Sequence, residues 1–160
     1  MIQRIQSVYL FFASLFYFLY WFFGLKWYTD GYNILTSFEF LINPNKNVIS
    51  FLDIFLSVTS FIPIIISSIC LIALFLFKNR FIQIKLSKIS YFLSLFMSFY
   101  TIIYFSLTLN GLIDIMPSKL LEVFLYAAII NPFICTYLIF SAIKCIKKDQ
   151  DLVSSIDRIR

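Results

Sequence analysis

Four stretches of this chain, residues 5–25, 54–77, 89–113 and 123–143, contain no Asp, Glu, Lys or Arg. Their lengths are 21, 24, 25 and 21 residues. A helix rises about 1.5 Å per residue and the hydrocarbon core of a bilayer is about 30 Å thick, so roughly 20 apolar residues suffice to cross it. In lipid every backbone N–H and C=O must find a partner within the protein, and a single crossing segment meets that demand only as a helix. The expected fold is therefore all-α: a polytopic four-transmembrane-helix bundle with spans at about 5–25, 54–77, 89–110 and 122–143. Composition agrees, since 61% of the 160 residues are hydrophobic, 13% are charged and the mean hydropathy is +0.92, outside the range of soluble domains. A soluble enzyme domain is excluded.

With strict alternation across the bilayer, ten of the thirteen Lys and Arg fall on one side: Arg4, Lys78, Arg80, Lys85, Lys88, Lys144, Lys147, Lys148, Arg158 and Arg160. Lys26, Lys46 and Lys119 fall on the other. The positive-inside rule then places both termini, the loop 78–88 and the tail 144–160 in the cytoplasm, and the loop 26–53 outside. Trp21, Trp27, Tyr28 and Tyr32 cluster where the first span should leave the outer face, as interfacial aromatics do. The net charge of +5 is explained by membrane orientation, so no nucleic-acid partner is expected. The first span resembles a signal peptide only superficially. Its apolar stretch is too long, is dense in Phe and Tyr, and runs into Phe23, Gly24, Leu25 and Lys26 with no small-residue cleavage site, so it is expected to stay attached.

Outside the spans the loop 26–53 combines turn signals at Asp30-Gly31 and Asn43-Pro44-Asn45 with an apolar run. One expectation is a small extracytoplasmic hairpin, Thr36–Ile42 against Val48–Phe51; the other, of equal weight, is a segment lying in the headgroup region, because isolated hairpins are marginal. In the tail, Leu152, Val153, Ile156 and Ile159 form one apolar helical stripe opposite Lys148, Asp151, Ser155 and Arg158. An amphipathic C-terminal cytoplasmic helix is expected. Docking beneath the helices is favoured over lying on the inner leaflet, because Asp149, Asp151 and Asp157 would be repelled by anionic lipid and can pair with Arg80 or Lys85. Asp157 is the expected centre of that contact.

Hydrophobicity cannot drive helices together inside lipid, so small and hydroxylated residues must provide the contacts. Ser90, Ser94, Ser98, Thr101 and Thr108 mark one face of the third span; Ser57, Ser60, Ser67 and Ser68 in the second and Ser7 and Ser14 in the first are expected to face inward with them. Phe, Ile and Leu are left for lipid. Pro63 and Pro132 lie near mid-membrane and free the carbonyls of Thr59 and Ala128, so kinks are expected. Asn131 is the most polar side chain deep in a span. Its expected structural role is a hydrogen bond to a neighbouring helix or a freed carbonyl; contact with a ligand or ion is the functional alternative.

The chain has no His, and Cys70, Cys135 and Cys145 form neither a C-x-x-C pair nor a disulfide framework. No cofactor, metal or catalytic residue is expected, and the chain is not expected to be an enzyme. No acid or base occupies a span centre, which argues against a proton-coupled carrier.

The start MIQRIQSVYL, the loop FLFKNRFIQIKL and the ending KKDQDLVSSIDRIR, in that order around four spans, resemble the Bacteroidetes membrane proteins grouped as domain of unknown function number 4293. The likeness covers essentially the whole chain, with departures at Gln150, where an acid is usual, and Ser154, where a base is usual. The resemblance implies a four-span bacterial inner-membrane protein and carries no activity, cofactor or catalytic residue. Its three matching segments are those the charge count places in the cytoplasm.

Two functions are expected in order. The first is a non-catalytic scaffold or partner subunit, in contact with membrane lipids and with a protein partner or a second copy of itself through a cytoplasmic face of Gln3, Arg4, Lys78, Asn79, Arg80, Gln83, Asp149, Asp157 and Arg158. The second is transport of a small solute or lipid by kinked spans two and four, around Pro63, Asn131 and Pro132.

Overall fold

The computed structural model describes residues 5–22, 46–77, 79–115 and 119–157, with the side chains of 46–58, 110, 114–115, 120–121 and 154–157 left aside. These residues form four helices: α1, Ile5–Phe22; α2, Lys46–Phe75; α3, Arg80–Ile115; and α4, Lys119–Asp157. Three of them, α1, α3 and α4, contain segments long and apolar enough to cross a membrane, and α2 contributes the shorter apolar segment Thr59–Phe75. Among the described residues there is no strand.

Each helix buries a seam whose steps alternate between four and three residues. In α1 it is Gln6, Leu10, Ala13, Tyr17 and Tyr20; in α2, Thr59, Pro63, Ile66, Cys70 and Ala73. In α3 it runs Gln83, Ser87, Ser90, Ser94, Met97, Thr101, Tyr104, Thr108. In α4 it runs Leu125, Ala128, Pro132, Cys135, Ile139, Ala142, Ile146, Asp149. A repeat averaging 3.5 residues keeps one face toward its neighbours over many turns, the spacing of left-handed coiled-coil packing.

Hydrogen bonds between seams set the register. Ser14 Oγ donates to the Ser67 carbonyl at 3.0 Å while Ser67 Oγ donates to the Ser14 carbonyl at 2.9 Å, joining α1 to α2 reciprocally. Thr59 Oγ1 donates to Tyr100 Oη at 3.1 Å between α2 and α3. Asn131 Nδ2 donates to the Phe16 carbonyl at 3.0 Å between α4 and α1. Sequential helices therefore run antiparallel, and α1 and α4 close against each other. The starts of α1 and α3 meet the ends of α2 and α4 at one extremity, called here the Asp149 end.

Tyr17, Tyr20, Tyr100 and Tyr104 are buried, while Phe11, Phe18, Phe92, Phe99, Phe124 and many other phenylalanines are exposed. A phenol inside the protein finds a hydroxyl partner, as Tyr17 does in Ser94 at 2.6 Å, whereas a phenyl ring needs none and suits lipid. The expected inward stripe of α3 holds in full, since Ser90, Ser94, Ser98, Thr101 and Thr108 are all buried. Ser68 departs from it: it is exposed and bonds back to the Ile64 carbonyl of its own helix at 2.8 Å.

The hairpin expectation is corrected. Val48–Phe51, its second strand, is part of α2; Thr36–Ile42 lies outside the described residues. A helix satisfies its own backbone groups, which an isolated two-stranded hairpin cannot do for its outer edges. The tail is corrected too. Instead of a separate helix turning back beneath the others, residues 144–157 prolong α4 without a break. The next seam position after Asp149, Val153, is 43% exposed and Leu152 is 48% exposed, because α3 begins only at Arg80 and offers no facing turn beyond it.

Candidate functional site

The α2–α3 connection turns within Leu76–Asn79, with Asn79 N–H bonded to the Leu76 carbonyl at 3.0 Å. The Asn79 carbonyl then accepts the Gln83 N–H at 3.0 Å, so Asn79 stands at the cap position before Arg80, where Asn is favoured. This cap aims Arg80 from the first turn of α3 toward α4. Arg80 Nη1 donates to the Asp149 carbonyl at 2.9 Å. On the other side Gln6 Nε2, one turn before the seam residue Leu10, donates to Asp149 Oδ2 at 2.7 Å. Asp149 is 6% exposed and Gln6 5%.

Below this layer Leu10, Ala73, Ala142 and Ile146, one from α1, one from α2 and two from α4, form a small apolar cluster with Ile84 and Leu86 of α3 packed against it. The polar layer is thus a lid over a sealed apolar end. It is not fully satisfied: Gln6 Oε1 and Ser87 Oγ are buried without a hydrogen-bond partner. Around it Lys85, Lys88, Lys144, Lys147 and Lys148 are exposed. Among the described residues no group of three His, Cys, Asp or Glu could hold a metal ion. What this end presents is fixed positive charge and hydrogen-bonding groups.

Of the residues expected on this face, the structure brings Arg80 and Asp149 together, buries Gln83 and leaves Asn79 exposed. Gln3, Arg4, Lys78 and Arg158 lie outside the described residues; Asp157 closes α4 and its side chain is not described. Among the described residues Asp149 is the acid held at the centre of this layer. Gln6 and Ser87 were missed. Their signal was phase: Gln6 is four residues before Leu10 and Ser87 three before Ser90, each continuing a seam.

The second expected site lies in the interior. Both α2 and α4 run through their prolines, and Pro63 and Pro132 are buried on the seams, so the carbonyls they free are in protein and not in lipid. Asn131 is bound on both sides of its amide, donating to the Phe16 carbonyl and accepting from Cys135 Sγ at 3.4 Å. Nearby, hydroxyls link three helices: Tyr17 to Ser94, Ser94 to Thr136, and Thr136 to Ser98 at 3.1 Å. Two open grooves of about 310 Å³ border this region. One lies between α1 and α4 beside Asn131 and Ala128; the other lies between α3 and α4 above Ser98 and Thr136.

A family model described as "Domain of unknown function (DUF4293)" matches residues 2–159. The chain belongs to that family. The match takes in the cap, the seams and the described part of the tail, so the Asp149 end lies inside the family's domain. No curated protein and no solved structure matches the chain.

Proposed function

We propose that this chain is a four-span protein of the bacterial inner membrane, its four helices forming a four-transmembrane-helix bundle with both termini in the cytoplasm. In this reading it is a non-catalytic scaffold or partner subunit whose cytoplasmic face binds another protein. The distribution of charge supports the orientation, since the exposed Lys85, Lys88, Lys144, Lys147 and Lys148 all stand at the Asp149 end and Lys119 at the opposite one.

One observation carries the binding role: Asp149, buried and hydrogen-bonded by Gln6 and Arg80, ties the starts of α1 and α3 to the end of α4. Recognition requires side chains held in place by a supporting layer. With Asp149 anchored, Asn79, Arg80 and the neighbouring lysines are presented on a fixed frame. Affinity capture from native membranes, with a tag that spares the tail, tests this. A stoichiometric protein partner that is lost in Asp149→Ala, while the variant remains inserted, is the expected outcome. Capture of a solute or lipid alone would favour transport instead.

The transport reading rests on the groove beside Asn131 in the proline-bearing α4. It ranks second because the Asn131 amide is already bound to Phe16 and Cys135, and a transported solute would have to displace those partners.

A further inference from the structure

The groove between α3 and α4 has a polarity that runs along its length. Its shallow end is at Tyr91 and Phe140, whose ring centroids are 5.9 Å apart, and its deep end is at Ile102 and Phe133. From Tyr91 to Ile102 is eleven residues of α3, about 16 Å of helix, close to half the roughly 30 Å hydrocarbon thickness. The groove is therefore as long as one leaflet is deep.

Continuing the same two helix faces outward past the shallow end leads to lysines. Lys88 is three residues before Tyr91, and Lys144 is four after Phe140, each the next position on the face that lines the groove. Both are exposed. Lys147 follows one turn later on the same face, and the first acid there, Asp151, stands seven residues beyond Lys144, about 10 Å farther out. The mouth of the groove is cationic.

Between mouth and floor stands Tyr137, 69% exposed, with no hydrogen bond among the described residues. Tyr137 therefore adds a polar group to an otherwise largely apolar wall, one turn inward from the Phe140 end. A largely apolar trough one leaflet long with two cations at its mouth matches one kind of molecule, an acyl chain joined to a negatively charged headgroup.

We propose that the α3–α4 groove is a binding site for an anionic glycerophospholipid of the leaflet on the Asp149 side, with an acyl chain along Phe99 and Ile102 and the net-negative headgroup between Lys88 and Lys144. The site depends on membrane embedding alone. It is independent of the scaffold role and of which face is cytoplasmic, so loss of a protein partner in Asp149→Ala would leave it intact.

Native mass spectrometry of the full chain in detergent, titrated with phosphatidylglycerol and with phosphatidylcholine of the same acyl chains, tests the site. A basic residue near an anionic headgroup is worth about fivefold in affinity, so two give wild type a preference of about 30-fold for phosphatidylglycerol. Lys88→Gln with Lys144→Gln should erase that preference, and Lys119→Gln, at the opposite end, should leave it unchanged. Ile102→Trp fills the deep end without changing charge and should weaken both lipids several-fold. Circular dichroism checks that each variant keeps its helices. Equal binding of the two lipids to wild type would overturn the proposal, as would a preference that survives loss of both lysines. An Ile102→Trp variant that binds as wild type would mean that the basic surface alone attracts lipid, and a lipid-free dimer burying the groove would make the occupant a second copy; either result overturns it.

Discussion

A carboxylate that is 6% exposed must be compensated, and Asp149 is compensated by an amide on one side while its own backbone carbonyl takes the guanidinium of Arg80 on the other. Removing the carboxylate strands the Gln6 amide, whose Oε1 already lacks a partner. Asp149→Ala should therefore destabilise the protein by about 1–3 kcal/mol, the cost of orphaning a buried polar group, and Asp149→Asn, which keeps an acceptor for Gln6 Nε2, should cost less. Denaturant unfolding in detergent measures both. In a double-mutant cycle, Gln6→Ala combined with Asp149→Ala should be less harmful than the sum of the two, because each single change leaves the other side chain unpaired. Additive losses would mean that the 2.7 Å contact contributes nothing of its own.

Along each helix small, hydroxylated or sulfur-bearing residues are at least as frequent on the buried seam as Leu and Ile, which the α3 seam lacks altogether, and most serine and threonine hydroxyls on α3 bond back to their own backbone. Ser90 bonds to the Leu86 carbonyl, Ser98 to Ser94, Thr101 to Met97 and Thr108 to Tyr104. Those bonds hide a polar group without gluing two helices together. The Ser14–Ser67 pair differs, since each hydroxyl reaches the carbonyl of the other helix. Interhelical hydrogen bonds in membranes average about 0.6 kcal/mol, so Ser14→Ala should cost about that amount, and adding Ser67→Ala should roughly double it. Pro132 tests the element differently. Pro132→Ala restores a donor for the Ala128 carbonyl, and the variant should insert normally and unfold no earlier than wild type. If α4 is a transport gate, activity should fall at unchanged abundance; a normal phenotype at normal abundance would count against a gate.

Across the described residues the arrangement inverts that of a soluble protein: Tyr17, Tyr20, Tyr100, Tyr104 and most serines and threonines are buried, while most phenylalanines are exposed. The solvent is the reason. Lipid is as apolar as any core, so burying Phe gains little, while exposing a hydroxyl forfeits its hydrogen bond. The three free cysteines sample this arrangement at different depths, Cys70 and Cys135 buried on their seams and Cys145 partly exposed near the Asp149 end. A membrane-impermeant maleimide should label Cys145 only after the inner face is opened, and Cys70 and Cys135 in neither condition. Labelling of Cys145 in intact spheroplasts would reverse the proposed orientation.

That α1, α3 and α4 are helical and apolar over membrane-crossing lengths was legible in the residues alone, because absence of charge over some twenty residues has one solution in lipid. So was the inward face of the α3 hydroxyl stripe, since Ser and Thr at steps of three and four lie on one side of any helix. Hydrophobic periodicity did not show where the other seams lie, because in these helices both faces are apolar and only the small and polar residues carry the phase. The rest followed from packing. Whether an acid in the tail is buried depends on how far its neighbours extend, and α3, which begins at Arg80, reaches Asp149 but offers no turn facing Val153. Likewise Gln6 and Asp149 are 143 positions apart, and no local pattern could pair them before α1 and α4 were packed in register.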